Sequence, residues 1–328
     1  MATNPTIEIR AASPEDHPAV IDLAGAALGW RDREADEALF RWKHLDNPAG
    51  PSPMWLAVAD GEIVGFRAFL RWSFDDPHLG RQSAVRAVDT ATDPAHQGQG
   101  IFTALTRHGL DAEREAGTDF VFNTPNAQSR PGYLKLGWQV VGRVPVAVVV
   151  TSPAAAGRMA RARVPAGKWS EPSDAGRPAP EALADDDHLD ALLASLAPAR
   201  GLRTVRTPEH LRWRYGLDRL RYRVLARGAT IEDGLAVFRV RRRGLAVETT
   251  LADVLVPGGD RRAERDLVAA VVRATRPDYL ISVQRRVASG RSIRLPGQGP
   301  ILTFRGIHRA SMPPLDRWDL TLGDIELF

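Results

Sequence analysis

Two stretches of this chain run through the same order of elements, and that order limits the fold more than any other feature. Residues 54–60 (MWLAVAD) and 62–72 (EIVGFRAFLRW) are β-rich runs that meet at Asp60-Gly61, the composition of a hairpin turn. A third strand over Ser83 to Thr92, a helix from Ile101 to Ala116 closed by Gly117, and the strand DFVFNT complete the series. The order returns in YRVLARGATIEDGLAVFRVRR (222–242), a helix over Arg261–Thr275 and a strand over Tyr279–Val283. A short motif precedes both series: FRWKH at 40–44 and LRWRY at 211–215. The repetition reads as an old duplication of one α/β unit.

The remaining pattern fits that frame. IEIRAA is a strand. Pro14 to Leu28 is a helix with Val20, Leu23, Ala24 and Ala27 at helical spacing, and Glu34 to Leu45 is a second helix that stops at Asn47-Pro48. Pro125 to Leu136 is a loop running into a short helix, and WQVVGRVPVAVVV closes the first half with β-branched strands. Residues 152–180 are rich in Ala, Pro, Arg and Gly and read as a linker, with one short helix around Ala154 to Arg163.

At 328 residues the chain is long enough for two cores. With 44% hydrophobic and 26% charged residues it has the balance of a globular protein, and no apolar run reaches membrane-spanning length. The first ten residues lack the apolar core of a secretion signal, so a cytoplasmic enzyme is expected. There is no cysteine, which excludes disulfides, thiolate metal sites and a cysteine nucleophile; no metal is expected. All but three of the 44 basic residues are arginine, but they are scattered and the net charge is only +4. A coding bias accounts for them better than a nucleic-acid surface.

The most informative stretch is DPAHQGQGIFTAL (93–105), set between a strand and a helix. Gly98 and Gly100 permit a tight turn without side chains in the way. The amides from Gly98 to Thr103 include a helix first turn that has no internal acceptor, and their partial positive charge suits a diphosphate. Gln97 can add a side-chain donor. No Gly-Lys-Ser/Thr follows and the third glycine of a dinucleotide fingerprint is absent.

The segment resembles the acyl-CoA pyrophosphate loop of the GNAT N-acetyltransferase superfamily, whose pattern is Arg or Gln, two residues, Gly, one residue, then Gly or Ala. Gln97, Gly98, Gln99, Gly100 and Ile101 fit; Phe102 departs, standing where a small residue is usual. Asn126, Ser129 and GYLKLGW (132–138) are similar to the Asn-containing loop and the Tyr-x-Lys-x-Gly-aromatic segment after the fifth strand of that family. The resemblance implies two tandem GNAT-like domains of α/β class, each a mixed, mostly antiparallel twisted sheet flanked by helices. Residues 1–150 would bind acyl-CoA, 151–180 would link, and 181–328 would form a second domain degenerate for the cofactor. The cofactor set is then Thr90, Ala91, Thr92, Gln97, Gly98, Gln99, Gly100, Ile101, Phe102, Thr103, Asn126 and Ser129. Acetyl-CoA is the co-substrate, and Tyr133 is the general acid for the departing thiolate.

Attack needs a neutral amine, so a base is required. Asp89 lies in the right neighbourhood, though a strand-end carboxylate can equally pair with Arg86 or another arginine. The terminal carboxylate of Phe328 and a water are the other candidates, since certain multidomain GNAT enzymes use a C-terminal carboxylate. By strand alternation Val85, Ala87, Asp89 and Ala91 share one face. Trp42 and His44 either line the acceptor pocket or pack the core. The second half lacks an equivalent loop: Gly258-Gly259 turns, but Asp260 puts an anion where phosphate would bind. The final DRWDLTLGDIELF reads as a strand with Trp318 and Leu320 inward. The expected function is transfer of an acetyl or other acyl group to a small-molecule amine, with a homodimer left open and neither membrane nor nucleic acid as partner. A non-catalytic acyl-CoA sensor and a Fem-type aminoacyl transferase are the alternatives.

Overall fold

A computed structural model describes residues 7–29, 32–283 and 292–326. In chain order the elements are β1 (Ile7–Ala11), α1 (His17–Leu28), α2 (Arg33–His44), β2 (Met54–Ala59), β3 (Glu62–Asp76), β4 (Gly80–Thr92), α3 (Ile101–Glu115), β5 (Phe120–Asn123), α4 (Arg130–Lys135), β6 (Gln139–Arg143) and β7 (Val146–Val150). There follow α5 (Pro153–Arg161), β8 (Arg177–Pro178), α6 (Ala179–Ala182), α7 (Asp186–Ser195), β9 (Arg203–Thr204), α8 (Pro208–Gly216), β10 (Arg223–Ala226), β11 (Leu235–Arg243), β12 (Ala246–Leu255), α9 (Arg261–Thr275), β13 (Tyr279–Val283), β14 (Ser292–Arg294), β15 (Ile301–Gly306) and α10 (Leu322–Ile325). The class is α/β, with two mixed sheets flanked by helices.

The chain forms two compact units that interleave in sequence. One comprises residues 1–74, 79–142 and 301–314, the other 75–78, 143–300 and 315–328. The first sheet runs β1-β2-β3-β4-β5-β15-β6 and the second β14-β7-β13-β12-β11-β10-β8. The closing run 138–150, read from sequence as one pair of strands, is therefore split: β6 lies in the first sheet, whereas β7 pairs antiparallel with β13 in the second. The 151–180 segment is structured too. Helix α5 starts at Ser152, whose hydroxyl accepts from Ala155 N, and Gly167 and Glu171 donate their amides to the carbonyls of Arg242 and Val240.

In the first unit the two-residue period of the strands sorts side chains onto opposite faces of the sheet. Trp55, Ala57 and Phe69 pack with Ile101, Leu105 and Leu110 of α3, while Met54, Leu56, Phe66 and Ala68 pack with Val20 and Ala24 of α1 and Phe40 of α2. Gly65 is the point of closest approach: a Cβ there would lie 2.7 Å from Ile101 Cγ2, so its absence lets α3 begin against the sheet. The predicted turn Asp60-Gly61 forms, with φ of 51° and 84°. The alternation expected along β4 does not persist. Val85 and Ala87 face α3, but Ala91 packs with the α1–α2 cluster and Asp89 reaches α2. The pleat changes phase between Ala87 and Ala91, so the four residues do not share a face.

In the second unit β10, β11 and β12 are antiparallel, α9 follows, and β13 returns parallel to β12. The first unit has the same sequence of events in β2 and β3, then β4, α3 and a parallel β5. The C-terminal segment corrects the sequence reading. Trp318 and Leu320 are buried as expected, but the end is a short helix and not a strand. Thr321 and Asp324 form a capping box that starts α10. Arg214, buried, donates to the carbonyls of Gly323 and Glu326 and holds the helix down.

Candidate active site

The loop between β4 and α3 carries the geometry its glycines imply. Gly98 and Gly100 have φ of 79° and 81°, left-handed values that cost an L side chain energy, and a Cβ on either would meet nothing within 4 Å. Gly100 is the N-cap of α3, and the first helical bond runs from Ala104 N to Gly100 O at 3.0 Å. The amides of Ile101, Phe102 and Thr103 therefore precede any internal acceptor and converge on the turn. A cavity of about 380 Å³ opens there, lined by Thr92, His96, Gln97, Gly98, Gly100, Ile101, Phe102 and Gln128. It lies at the N-terminal end of a four-turn helix, the end whose free amides and dipole favour negative charge.

Of the sequence-predicted ligands, Thr92, Gln97, Gly98, Gly100, Ile101 and Phe102 line the cavity, and Gln99 and Thr103 lie within the same loop and first turn. Gln97 points its amide at the Thr92 carbonyl, 3.5 Å away. Thr90 bonds the Phe66 carbonyl, and Ala91 is buried. Asn126 and Ser129 are bonded to each other: Asn126 Oδ1 accepts from Ser129 N and Oγ, which organises the entry into α4. These bonds are the turn chemistry expected of an Asn three residues before a Ser.

Tyr133 is buried on α4, and its neighbours were not foreseen. Arg67 on β3, wholly inaccessible to solvent, donates from Nη2 to Tyr133 Oη at 2.7 Å. The Phe102 ring stands edge-on to Tyr133 with centroids 5.4 Å apart, and Trp138 packs at 5.1 Å on another side. Phe102 thus finds its room against the sheet partly because position 132 is glycine: a Cβ there would lie 3.0 Å from the Phe102 ring. Only the apolar surroundings of Arg67 in sequence, GFRAFL, hinted that this arginine is unusual.

Asp89 is not paired with Arg86, which bonds Thr124 instead. Its carboxylate lies 3.0 Å from Lys43 Nζ through both oxygens and 2.9 Å from His44 Nε2. The other ring nitrogen of His44 meets Ser52 Oγ at 3.0 Å. Burial alone would raise the Asp89 carboxyl, but the Lys43 ammonium and the His44 hydrogen bond outweigh it and hold the group well below the usual carboxylate range. Burial pushes the His44 imidazole down despite Asp89 beside it. Trp42 and His44 are both core residues, 6% and 0% exposed, and neither is open to an acceptor. Phe328 lies outside the described residues.

The second unit has no counterpart to the glycine loop. Asp260 caps α9, its carboxylate accepting from Arg262 N at 2.8 Å, so the site an anion would take is filled by the chain. A cavity of about 170 Å³ beside it mixes Arg200, Arg203 and Arg261 with Glu264 and Asp319. Among the described residues no group of three or more His, Asp and Glu is placed to hold a metal, and no helix is long and apolar enough to cross a membrane.

The family model for the acetyltransferase (GNAT) domain matches residues 8–141. A search of curated proteins finds no match. Among solved structures, the chain resembles a GCN5-related N-acetyltransferase from Anabaena variabilis at 11% identity and a TM-score of 0.63, over 92% of this chain and 73% of that one. Eis1 from Mycobacterium abscessus aligns at 16% identity and a TM-score of 0.58, over 92% and 74%. A GCN5-related N-acetyltransferase from Kribbella flavida aligns at 16% and 0.55, over 93% and 72%. At these identities the likeness is one of fold, and it extends over nearly the whole chain.

Proposed function

Taking residues 8–141 as a GNAT acetyltransferase domain, we propose that the protein is an N-acyltransferase that moves an acetyl or other acyl group from acyl-CoA to the amine of a small molecule. The observation that carries this reading is the cavity at the α3 N-terminus, with its glycines at positive φ and a first turn whose amides precede the first helical bond, in the unit that also holds the buried Tyr133. Coenzyme A fits that chemistry: the diphosphate meets backbone N–H groups between Gly98 and Thr103, with no side chain from Gly98 or Gly100 in the way. Bound, acyl-CoA supplies an activated thioester.

The residues then divide the work. The α3 amides and Gln97 bind and orient the donor. Thr90 to Thr92 present strand backbone along it, and a β4 amide stabilises the oxygen on which charge develops. Asn126 and Ser129, at the entry to α4, border its arm. Tyr133 gives its proton to the sulfur as the thiolate leaves. A carboxylate held as far down as Asp89 is a weak proton acceptor, so we assign removal of the amine proton to water. Asp89 instead neutralises Lys43 and orients His44 under the β4 backbone. The like element order of the two units supports an origin by duplication, with the second unit no longer binding a diphosphate.

Calorimetry with coenzyme A tests the first step, and thiol release from acetyl-CoA with a panel of amino sugars, amino acids and other amines tests the second. Tyr133→Phe is expected to leave binding within twofold and to lower kcat about 10²-fold or more. Binding without thiol release from any amine would make the protein a sensor; no binding would end the transferase reading.

A further inference from the structure

We infer that Arg67 is a positioning residue for the proposed reaction: it fixes which way the Tyr133 hydroxyl points and holds the phenolate that proton transfer leaves behind. This rests on Tyr133 acting as the acid.

Arg67 is an expensive residue where it stands. Its side chain is inaccessible, and among the described residues Nε and Nη1 have no hydrogen-bond partner. A buried guanidinium with two such nitrogens is less stable than a methionine of similar reach. Aromatic rings partly compensate, since its Cζ lies 5.1 Å from the Phe69 centroid, 5.3 Å from Phe102 and 5.0 Å from Tyr133. Those rings explain how the charge is tolerated, but a neutral residue would need no such enclosure. Among the described residues, the one hydrogen bond the group makes is to Tyr133 Oη.

That bond has a direction. A guanidinium carries donors and no acceptor, so the phenol oxygen must be the acceptor. The hydroxyl proton cannot turn back toward Arg67, and among the described residues nothing else accepts it. The proton is left for a group brought against Oη, and Phe102, which lines the cavity at the α3 N-terminus, packs over both Arg67 and Tyr133. In the transfer step the amine nitrogen bonds the acyl carbon, the carbon–sulfur bond breaks, and its electron pair goes to sulfur. Tyr133 O–H breaks and S–H forms. The phenolate produced lies against a permanent cation until water returns a proton to it, and the amine proton has gone to water, so protons balance.

The test compares wild type with Arg67→Lys, Arg67→Gln, Tyr133→Phe and the double variant Arg67→Gln/Tyr133→Phe, measuring kcat, KM for acetyl-CoA and coenzyme A affinity. Lys and Gln remove similar packing, but Lys remains a cation that only donates, whereas the Gln carbonyl can capture the phenol proton. We expect Arg67→Gln to lower kcat at least tenfold with KM and affinity within twofold, and Arg67→Lys to retain several-fold more activity than Gln. In the double variant, the loss should match Tyr133→Phe alone within about twofold, because Arg67 acts only through that hydroxyl. Equal kcat for Lys and Gln, or a double-variant loss equal to the product of the single losses, would overturn the inference and leave Arg67 a packing residue. Wild-type kcat in Tyr133→Phe would instead remove the acid reading itself, which is a separate outcome. Thermal melting of each variant identifies any that fails to fold; the Lys–Gln comparison is then made at a temperature where both are native.

Discussion

Asp89 is a largely buried carboxylate whose charge is answered from within the protein. Lys43 and His44 surround it from α2, so its charge is committed to the interior. Its folded pKa lies below the ordinary value of 3.8, so its stabilising contribution is present above that pH and is lost as pH falls through the folded value. Asp89→Asn should therefore flatten the acid limb of the stability curve. At neutral pH it removes the carboxylate that faces the buried Lys43 and His44, at a cost of about 3–5 kcal/mol in urea denaturation. His210 acts higher in the range: burial and Arg206 depress it to about 3, against an ordinary 6.5. The unfolded chain then takes up a proton that the native state does not, and stability declines as pH falls from about 6.5 towards 3. His210→Gln should reduce that slope, and an unchanged slope in urea titrations between those limits would assign it to other groups.

At the scale of elements, α3 is placed by two glycines, one in the strand it crosses and one in itself. A Cβ at Gly65 would lie 2.7 Å from Ile101, and one at Gly109 would lie 2.8 Å from the Trp55 ring. Gly109→Ala should overpack the interface with β2 and cost about 1–3 kcal/mol, read as a lowered melting temperature. Because the proposed diphosphate site lies at the N-terminus of the same helix, Gly65→Ala should weaken coenzyme A binding as well, whereas Gly109→Ala, two turns further on, should leave affinity near wild type. Such placement was only partly legible in the sequence. Helix periodicity and the Gly-x-Gly turn gave α3 and its loop almost to the residue, since those signals are local. The Arg67–Tyr133 bond and the Lys43–Asp89 pair span 66 and 46 residues, and no local pattern announces them. The phase change in β4 defeated a strict alternation for the same reason: it answers to α2, a distant partner.

Across the whole molecule, chain order and spatial order part company. Residues 143–300 belong to the second unit, yet β15 lies between β5 and β6 in the first, with Thr303 to Gly306 antiparallel to Phe120 to Asn123. Sequence reading missed this because ILTFRG looks like any late strand, and hydrophobic pattern carries no address. A fragment ending at residue 300 should consequently fail to fold its N-terminal unit, seen as loss of near-ultraviolet dichroism and as aggregation, although it contains every predicted ligand of the cofactor. Supplying the 301–314 segment as a separate peptide should restore part of it.

Synthesis on the ribosome meets the same constraint in time. When Arg143 of β6 emerges, the strand that must separate β6 from β5 is still about 160 residues from being made, which at cellular elongation rates is roughly 10–30 s. Through that interval Phe120, Val121 and Phe122 border an open ladder, a natural target for chaperones that grip apolar β-edges. Codon choice and chaperone supply over the stretch encoding 143–300 should therefore govern the yield of native protein more than substitutions around the glycine loop, as soluble yields of recoded and wild-type genes would show.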